Sequence, residues 1–575
     1  MAIETTLPKL LQARTAARPE LTAQASKNAE GVFQYYTFKD LYDSVLDLAA
    51  AFSDMGIKRG DRVGLISDNR REWLMSDFAL LSLGAADVPR GCDSTGTEIR
   101  FILSFSECTF AIFENEHQFK KILEKRTEVP LLKTAILFDV PSAEILTLAA
   151  DAGIAVHAFK DVMKRGTDAP RREAMEAEIE KGTGDELATI IFTSGTTGTP
   201  KGVMLTHRNY LSQLEDVGTV LDVHPGEMWL SVLPVWHSFE RVVQYIALTL
   251  HSGLAYSKPV AAVMLPDMAA VKPQWMCGVP RLWESLAQGI FRSMKKTGGA
   301  KLALFNFFVS LGKVYMHAGD RVFNRVCTFK KEHRILDILR GIIPLIFLSP
   351  LYALGNALVF SKIKEKLGGR FRVGISGGGA LQKDTDDFYQ ALGIRLLEGY
   401  GITEAAPVLS VRNSKKPRSG CVGVVFPSAE IKIVAEKEGI PLSAEPLPVN
   451  THGLIMAWGD QIMKGYYRQP ELTKQVIDSD GWLNTGDLGI LSSRNEIKIT
   501  GRAKDTIVLL GGENIEPAAI EAAINGSSFV EFTVVLGQDK KYLAALIVPA
   551  KDALTEWARA NGLVYDDYSK LLTLP

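Results

Sequence analysis

Short apolar runs alternate with longer helical stretches along most of this chain. Residues 62–66 form one apolar run ahead of a helical pattern over 71–83, and residues 187–193 precede a second helical pattern over 207–214. Strands that alternate with helices in this way are typical of mixed sheets covered by helices. The sequence therefore predicts an α/β fold built on mixed β-sheets.

The size and composition of the chain suit several packed units. The chain has 575 residues, of which 46% are hydrophobic. At about 150 residues per domain, this length predicts roughly three or four packed units. The formal net charge is −1. Bulk electrostatics therefore predict neither nucleic-acid binding nor a general attraction to membranes.

The cysteines and the N-terminus indicate a cellular compartment. The five cysteines are an odd number, are widely scattered and show no paired metal spacing, so they are interpreted as reduced thiols. Residues 1–8 contain no apolar core of signal-peptide length. We therefore expect a cytoplasmic protein.

The apolar run at 187–193 leads into a loop of small hydroxyl and glycine residues that ends in one lysine. Hydroxyls can donate hydrogen bonds to phosphate oxygens, glycines let backbone amides approach an anion, and lysine adds a compact positive charge. The spacing is not that of a P-loop, and a flexible linker is the alternative interpretation. The predicted phosphate-binding residues are Thr193, Ser194, Gly195, Thr196, Thr197, Gly198, Thr199 and Lys201.

A second segment, residues 398–407, places an aromatic ring, a hydroxyl and a carboxylate within a few residues of one another. This set can stack on a base, hold a phosphate and coordinate magnesium. We expect Glu404, together with Thr197, to be the metal ligands. The predicted nucleotide-binding residues of this segment are Glu398, Gly399, Tyr400, Gly401 and Thr403.

Two further segments could complete a nucleotide site. Gly378, Gly379 and Ala380 supply a backbone edge against which an adenine can lie. Asp487 supplies a carboxylate that can accept hydrogen bonds from both ribose hydroxyls. Arg502 can donate to the same ribose, although a solvated surface arginine is the alternative interpretation.

Together these segments resemble, in order and over nearly the whole chain, the motifs of the adenylate-forming superfamily, which includes acyl-CoA synthetases, luciferases and peptide-synthetase adenylation domains. The resemblance implies a large N-terminal domain over residues 1–500, with a β-barrel-like subdomain. It also implies a small mobile α+β C-terminal domain over 501–575, with a hinge at Lys504. Gly511, Gly512 and Glu513 would lie on the CoA side.

The same resemblance implies a reaction in two steps. A carboxylate attacks the α-phosphate of ATP in the presence of Mg²⁺ and gives an acyl-adenylate and pyrophosphate. The thiol of CoA then displaces AMP. Lys201, Thr403 and Glu404 would act in the first step by positioning the phosphates and neutralising their charge.

The segment Leu233–Arg241 resembles the acyl-pocket segment of long-chain fatty acyl-CoA synthetases. The resemblance implies that His237 acts near the substrate carboxylate and that Trp236 and Phe239 form apolar walls. The alternative is that Glu240 pairs with Arg241 for structural reasons and that His237 is a hydrogen-bonded core residue. The prediction is a long-chain fatty acid:CoA ligase. The alternatives are activation of another carboxylic acid, or a form that binds nucleotide and fatty acid without catalysis.

Residues 291–360 have a different character from the rest of the chain. Residues 291–340 contain eleven Lys/Arg against three Asp/Glu, and an apolar run interrupted by Pro344, Pro350, Gly355 and Asn356 follows. A basic stretch beside an apolar one is typical of a peripheral membrane-surface element. Core or lid helices and a true membrane span are the alternatives.

Two positions depart from the superfamily pattern. Leu454 stands where the family usually has a glutamate, ahead of the glycine-tyrosine turn. Members of the family also carry a C-terminal segment, rich in proline and basic residues, whose lysine contacts the substrate carboxylate and the α-phosphate. The given sequence shows no such segment after residues 543–549, and Lys570 lacks its flanking pattern. We therefore expect an incomplete C-terminal domain and adenylation slowed on the order of a hundredfold.

Overall fold

The computed structural model describes residues 4–167, 169–193, 200–329, 332–510 and 513–573. The chain divides into two compact units. The first unit consists of Met1–Cys327, Glu332–Glu430 and Ala457–Leu483, and the second consists of Thr328–Lys331, Ile431–Met456 and Asn484–Pro575.

The strands follow one another along the chain between helices, as the alternating pattern predicts. The strands of the first part of the chain are β1 Thr22–Lys27, β2 Phe33–Thr37, β3 Arg62–Ile66, β4 Ala86–Arg90, β5 Phe110–Phe113, β6 Thr134–Leu137, β7 Ala155–Ala158, β8 Leu187–Thr193, β9 Lys201–Thr206, β10 Met228–Ser231, β11 Gly253–Tyr256, β12 Trp275–Gly278, β13 Val373–Ser376, β14 Arg395–Gly401, β15 Val408–Val411 and β16 Gly423–Val425. The later strands are β17 Ala429–Val434, β18 Glu436–Lys437, β19 Ile440–Pro441, β20 His452–Gly459, β21 Gly465–Tyr466, β22 Leu483–Leu491, β23 Glu496–Arg502, β24 Ile507–Val508, β25 Asn514–Ile515, β26 Val530–Leu536 and β27 Ala544–Pro549.

The helices vary from one turn to more than six turns. They are α1 Leu7–Ala17, α2 Phe38–Asp54, α3 Arg71–Ser82, α4 Gly96–Phe105, α5 Glu116–Leu123, α6 Ala143–Asp151, α7 Phe159–Arg165, α8 Ala169–Glu180, α9 His207–Val220, α10 Ser238–Thr249, α11 Ala261–Val271, α12 Pro280–Thr297, α13 Gly299–Val322, α14 Arg334–Gly355, α15 Ser361–Lys366, α16 Lys383–Ala391, α17 Pro470–Val476, α18 Pro517–Asn525, α19 Lys551–Ala560 and α20 Tyr568–Leu571. A π-helical turn, Asn356–Phe360, joins α14 to α15.

The first unit contains two large mixed sheets. Among the described residues, one sheet has the strand order β16-β15-β14-β13-β12-β10-β11-β1-β2 within this unit, and the strands from β14 to β1 in that order run parallel. The other has the order β21-β9-β8-β4-β3-β5-β6-β7, parallel from β8 to β7 and antiparallel at β9 and β21. The predicted α/β fold with mixed sheets is confirmed.

Apolar side chains from the helices cover both sheets. Trp283 of α12, Phe305 of α13 and Tyr389 of α16 are buried with residues of β10 to β14 in one core. A second core brings α4, α5 and α6 onto β3 to β6, with Phe119 and Ile190 among its buried members. The parallel strands β10, β12, β13 and β14 end at the same edge of their sheet, so the loops that follow them lie close together.

The second unit is smaller and is built of antiparallel pairs. Its strands β17, β20, β22 and β23 are neighbours in that order, and β26 pairs with β27. The helix α18 packs on β26. Leu454, which occupies the position where the family usually has a glutamate, is fully buried in β20. A glutamate at this point would need a buried partner, so leucine suits the site that surrounds it.

The helices α13 and α14 form an antiparallel hairpin in the first unit. Arg334 at the start of α14 donates hydrogen bonds to the carbonyl oxygens of Arg321 and Val322 at the end of α13. Among the described residues, the segment Arg334–Lys366 is the helical stretch that is long and apolar enough to cross a membrane. Only 6% of its most apolar 18-residue stretch is buried within the protein. The alternative of a core-packed helix is therefore wrong for most of α14.

Candidate active site

The predicted phosphate loop joins two paired strands. Thr193 at the end of β8 lies opposite Lys201 at the start of β9. The strand β8 has the predicted bounds, and the helix α9 begins at the predicted residue and runs on to Val220. The predicted residues Ser194, Gly195, Thr196, Thr197, Gly198 and Thr199 lie outside the described residues.

Lys201 lies beside a tyrosine that the sequence analysis did not assign to the site. The strand β21 pairs with β9 so that Tyr466 is opposite Val203. This pairing places the Tyr466 ring under the Lys201 ammonium group, with 5.1 Å between Nζ and the ring centroid. A cation over an aromatic face at this distance is attracted to the ring.

The same tyrosine holds the predicted metal ligand. The hydroxyl of Tyr466 donates a hydrogen bond of 2.9 Å to the carboxylate of Glu404. Burial, followed by the charge of Glu404, raises the pKa of Tyr466 above its usual range, so the phenol remains a donor at neutral pH. Lys201, Tyr466 and Glu404 therefore form one cluster, which we call the Lys201 cluster.

The turn that carries Thr403 and Glu404 is clamped from both sides. A side chain at Gly401 would collide with the carbonyl oxygen of Pro407, so only glycine allows this close approach of the backbone. The side chain of Gln213 donates to the carbonyl oxygen of Ala406 at 2.7 Å and accepts from the backbone N–H of Val408 at 2.9 Å. Gln213 is fully buried, and it connects α9 to the turn.

Thr403 contacts the predicted acyl-pocket segment. Its hydroxyl lies 3.2 Å from the hydroxyl of Ser238, the first residue of α10, and both side chains are buried. The sequence analysis did not identify Ser238, because its link to Thr403 spans 165 positions and leaves no local signal. A change in the position of α10 would therefore reach the predicted phosphate-binding turn directly.

The predicted adenine edge follows β13. Gly378, Gly379 and Ala380 are exposed to solvent, so their backbone groups are accessible to a ligand. The loop is tied to β14, since the carboxylate of Glu398 accepts from the backbone N–H of Leu381 at 3.1 Å.

The carboxylate of Glu398 is bound by other groups of the protein. Its carboxylate also forms an ion pair with Arg412, which in turn contacts Asp386 at 2.8 Å. Burial raises the pKa of Glu398, and the charge of Arg412 opposes this shift. The side chain of Glu398 thus supports the loop, and its predicted contact with the nucleotide would have to come from its backbone. Gly399 and Tyr400, the next predicted residues, continue along β14 and are partly buried.

The predicted acyl-pocket segment leads into α10 and forms its start. His237 caps this helix, because its Nδ1 accepts from the backbone N–H of Phe239 at 3.3 Å. The residue is accessible to solvent, and partial desolvation followed by the charge of Arg90 lowers the pKa of His237. His237 is therefore neutral near pH 7, and the alternative of a buried core histidine is wrong.

The two aromatic wall candidates contact the neighbouring loops. Trp236 packs against Gly91, and the guanidinium of Arg90 lies 4.8 Å from its ring centroid. The ring of Phe239 lies against Gly377, since a Cβ added to that glycine would be 3.1 Å from the ring. The predicted wall of the acyl pocket thus touches the loop that carries the predicted adenine edge.

The alternative pairing of Glu240 with Arg241 is also wrong. The Arg241 guanidinium forms ion pairs with Asp77 at 2.5 Å and with Asp87 at 2.9 Å, and all three side chains are fully buried. Glu240 accepts instead from the hydroxyl of Ser231. Burial raises the pKa of Glu240 to about 8. The two neighbours therefore belong to separate buried networks.

The predicted ribose-binding pair lies in the second unit. Asp487 on β22 and Arg502 on β23 are opposite each other, with 3.1 Å between carboxylate and guanidinium. Asp487 is buried, whereas the side chain of Arg502 is largely exposed. Lys504 lies in the turn after β23, and Glu513 is exposed. Gly511 and Gly512 lie outside the described residues, and the roles given to the hinge and the CoA side remain predictions.

These groups fit a nucleotide and a divalent cation. Carboxylate oxygens such as those of Glu404 are the ligands that Mg²⁺ prefers, and Lys201 supplies a compact charge for phosphate oxygens. The exposed backbone at 378–380 could accommodate a flat base. Thr197, the second predicted metal ligand, lies outside the described residues.

Comparison with known proteins places the chain in a family. Residues 11–467 match the model of the AMP-binding enzymes, and residues 504–563 match that of the AMP-binding enzyme C-terminal domain. The chain resembles the A domain of a carboxylic acid reductase from Segniliparus rugosus, solved in complex with AMP and a co-purified carboxylic acid. The TM-score is 0.72 at 19% identity, with 97% of this chain and 87% of that chain covered, which establishes the fold alone.

Curated relatives from Arabidopsis thaliana match over most of the chain. A probable chloroplastic acyl-activating enzyme 16 is 34% identical, with 90% of this chain and 73% of the relative covered. A chloroplastic long-chain-fatty-acid–[acyl-carrier-protein] ligase is 32% identical, with 93% and 76% covered. A peroxisomal long chain acyl-CoA synthetase 7 is 29% identical, with 96% and 74% covered. The resemblance to the adenylate-forming superfamily is confirmed, and the chain belongs to the AMP-binding enzyme family as an adenylate-forming, acyl-activating enzyme.

Proposed function

We propose that this enzyme activates a long-chain fatty acid with ATP and transfers the acyl group to the thiol of CoA. The observation that carries the proposal is the Lys201 cluster, in which a cation, a phenol and a carboxylate meet beside the predicted phosphate loop. The names of relatives such as the long chain acyl-CoA synthetase add support for the acyl substrate and the acceptor.

In the first step an oxygen of the fatty acid carboxylate bonds to the α-phosphorus of ATP. The bond from that phosphorus to the bridging oxygen breaks, and pyrophosphate leaves. Lys201 would neutralise charge on the phosphate oxygens as it builds up in the transition state. Glu404, oriented by Tyr466, would hold Mg²⁺, which supplies further charge neutralisation when bound.

In the second step the thiol sulfur bonds to the acyl carbonyl carbon. The bond between that carbon and the phosphate oxygen breaks, AMP leaves, and the thiol proton passes to solvent. His237, neutral near pH 7 and accessible to solvent, would add no positive charge beside the acyl group. Trp236 and Phe239 would form apolar walls around the carboxyl end of the fatty acyl chain.

The acyl acceptor could instead be the thiol of an acyl carrier protein. One relative is named as a ligase of long-chain fatty acids to this protein, and its identity of 32% exceeds the 29% of the peroxisomal CoA synthetase. Both acceptors end in the same phosphopantetheine thiol, so the first step is common to them. The two functions differ only in which acceptor completes the second step.

The test is to incubate the chain with palmitate, ATP and Mg²⁺ and to supply either CoA or holo-acyl carrier protein. We expect palmitoyl-CoA and AMP in the first mixture, detected by mass spectrometry. Octanoate and benzoate in parallel mixtures test the chain-length assignment. Acyl transfer to the carrier protein alone would support the second acceptor, and faster turnover of benzoate would overturn the fatty acid assignment.

The site assignment has its own test. Lys201→Ala and Glu404→Gln should each slow pyrophosphate release by more than tenfold, because each removes a charge that acts on the phosphates. The exposed residues Lys416 and Glu430 provide matched controls, as Lys416→Ala and Glu430→Gln. Wild-type rates in both site variants would reject the Lys201 cluster as the phosphate site.

A further inference from the structure

The hairpin of α13 and α14 presents an apolar surface to solvent. On α14 the residues Ile335, Leu339, Ile343, Ile346, Phe347 and Leu351 follow a spacing of three or four, so they lie on one side of the helix. All six are exposed, and Phe347 has 75% of its surface accessible. We call these six residues the outer face of α14. A contiguous exposed apolar surface of this kind marks a site of interaction.

The other side of α14 is packed, so the outer face does not result from a loosely attached helix. A Cβ added to Gly341 would lie 2.6 Å from the carbonyl oxygen of Ala318 on α13, which shows how closely the two helices approach. Tyr352 stacks on Tyr315 of α13 with 4.3 Å between ring centroids. The inner face is therefore fixed to the first unit, and the outer face is a separate surface.

Basic side chains lie at both ends of this surface. Arg321 and Arg340 are exposed near the N-terminal end of α14. Lys362 and Lys366 are exposed just beyond its C-terminal end, on α15. The outer face spans 17 residues, from Ile335 to Leu351, or about 25 Å at about 1.5 Å per residue, and positive charge lies near both of its ends. This pattern complements a lipid surface with anionic headgroups.

We propose that the outer face of α14 docks on an anionic lipid surface, with the helix lying in the interface. A transmembrane position is not favoured, because α14 contains Pro344 and Pro350 and because its inner face packs on α13. A second copy of the chain is also a poor partner. An antiparallel pairing of two outer faces would place the basic ends of one copy on those of the other, and like charges repel.

The test is flotation of the full chain with vesicles of three parts phosphatidylcholine to one part phosphatidylglycerol at low salt. We expect the chain to float with these vesicles and to bind far less to pure phosphatidylcholine. The double variant Ile343→Glu/Phe347→Glu should lower the ratio of bound to free protein at least tenfold, because two carboxylates would have to enter the apolar layer. Since both side chains are exposed, the variant should keep the melting temperature of the wild type.

A matched control uses an exposed apolar residue elsewhere in the first unit. Val140 is 64% exposed and Ile343 is 61% exposed, so Val140→Glu adds a charge of similar accessibility away from the hairpin. It should leave vesicle binding unchanged. The assay does not use catalysis, so its result is independent of the proposed ligase activity.

Three results would overturn the proposal. One is the absence of binding to either vesicle at low salt. Another is a dimer in solution that the double variant converts to a monomer, which would assign the outer face to a second copy. The last is protein that stays in the vesicles after alkaline carbonate extraction, which would indicate a membrane span.

Discussion

Replacing Tyr466 with phenylalanine removes one hydroxyl from the Lys201 cluster and keeps the ring. The hydroxyl donates to Glu404 at 2.9 Å, whereas the contact with Lys201 is made by the ring. Tyr466 is 5% exposed, so phenylalanine fills the same buried space. The substitution therefore separates the orientation of the carboxylate from the packing around it.

The size of the effect follows from the kind of bond that is lost. A hydrogen bond to a charged group contributes about 1.5–3 kcal/mol, which corresponds to roughly 10- to 150-fold in an equilibrium or rate constant. Glu404 is partly accessible to solvent, so water can replace the phenol in part. We therefore expect Tyr466→Phe to act at the lower end of this range, with about a tenfold loss.

The assay is pyrophosphate release with palmitate and ATP as a function of Mg²⁺ concentration. If Tyr466 orients Glu404 toward the metal, the concentration of Mg²⁺ at half-maximal rate should rise about tenfold in the variant. The neighbouring residue offers a control, because the Tyr467 ring packs on Phe105 with 6.1 Å between centroids. Tyr467→Phe should respond to Mg²⁺ as the wild type does. A wild-type Mg²⁺ response in Tyr466→Phe, combined with a strong defect in Glu404→Gln, would refute the positioning role.

Further predictions concern the groups that support the site. Gln213→Ala should lower kcat about tenfold or more by releasing the clamped turn, and an unchanged kcat would show that the turn holds its shape without it. Arg241→Met should lower the free energy of unfolding by about 3–5 kcal/mol in urea melts, because it leaves two buried carboxylates without their partner; a change below about 1 kcal/mol would contradict this. Glu240 has a folded-state pKa of about 8, above the unfolded value, so its effect on stability becomes less favourable as pH rises from about 4.5 to 8. Glu240→Gln should remove this pH dependence. Its free energy of unfolding, relative to that of the wild type, should therefore rise by up to about 1.4 kcal/mol per pH unit in that window. Melting temperatures that change with pH by the same amount in both proteins would contradict this prediction.

Local patterns of the sequence predict much of the fold. The strand β8 and the start of α9 fall at the predicted residues, because a continuous apolar run and a period-3.6 pattern are properties of neighbouring residues. The helix α9 begins with a capping box, in which Thr206 and Asn209 exchange hydrogen bonds, and this is another local signal. Elements fixed by adjacent residues are therefore accessible to sequence reasoning.

The supporting contacts of the site have no such signal. Tyr466 lies 62 positions from Glu404, and the glycine-tyrosine turn indicates a strand without showing that the phenol reaches a carboxylate. Gln213 lies in the middle of α9, where a glutamine would ordinarily be expected on the solvent side. Gln213 is buried because the 401–408 turn packs against it, and the position of that turn depends on the order of the strands in the sheet. Residues of this kind become visible only when distant segments are brought together.

Hydropathy also gave an ambiguous result for α14. Apolar composition alone suits a core helix, a membrane span or an interfacial helix equally well. The distinction depends on what surrounds the helix. The glycines at 341 and 355, for example, mark its packed side only because α13 lies against them. Tertiary structure was therefore needed to separate the core helix from the other two alternatives.

The buried triad of Arg241, Asp77 and Asp87 has a consequence for attempts to redesign the enzyme. The triad joins α10 to α3 and β4, whereas Trp236 and Phe239 of the same segment lie against Gly91 and Gly377. If Trp236 and Phe239 line the acyl pocket, as we propose, substitutions at these two positions should alter the preferred acyl chain while the triad keeps the helix in place. Replacing the whole segment with that of a relative is riskier, because the arginine it carries needs two aspartates at the positions of Asp77 and Asp87. A library for altered specificity should therefore vary the two aromatic positions and leave Arg241, Asp77 and Asp87 unchanged.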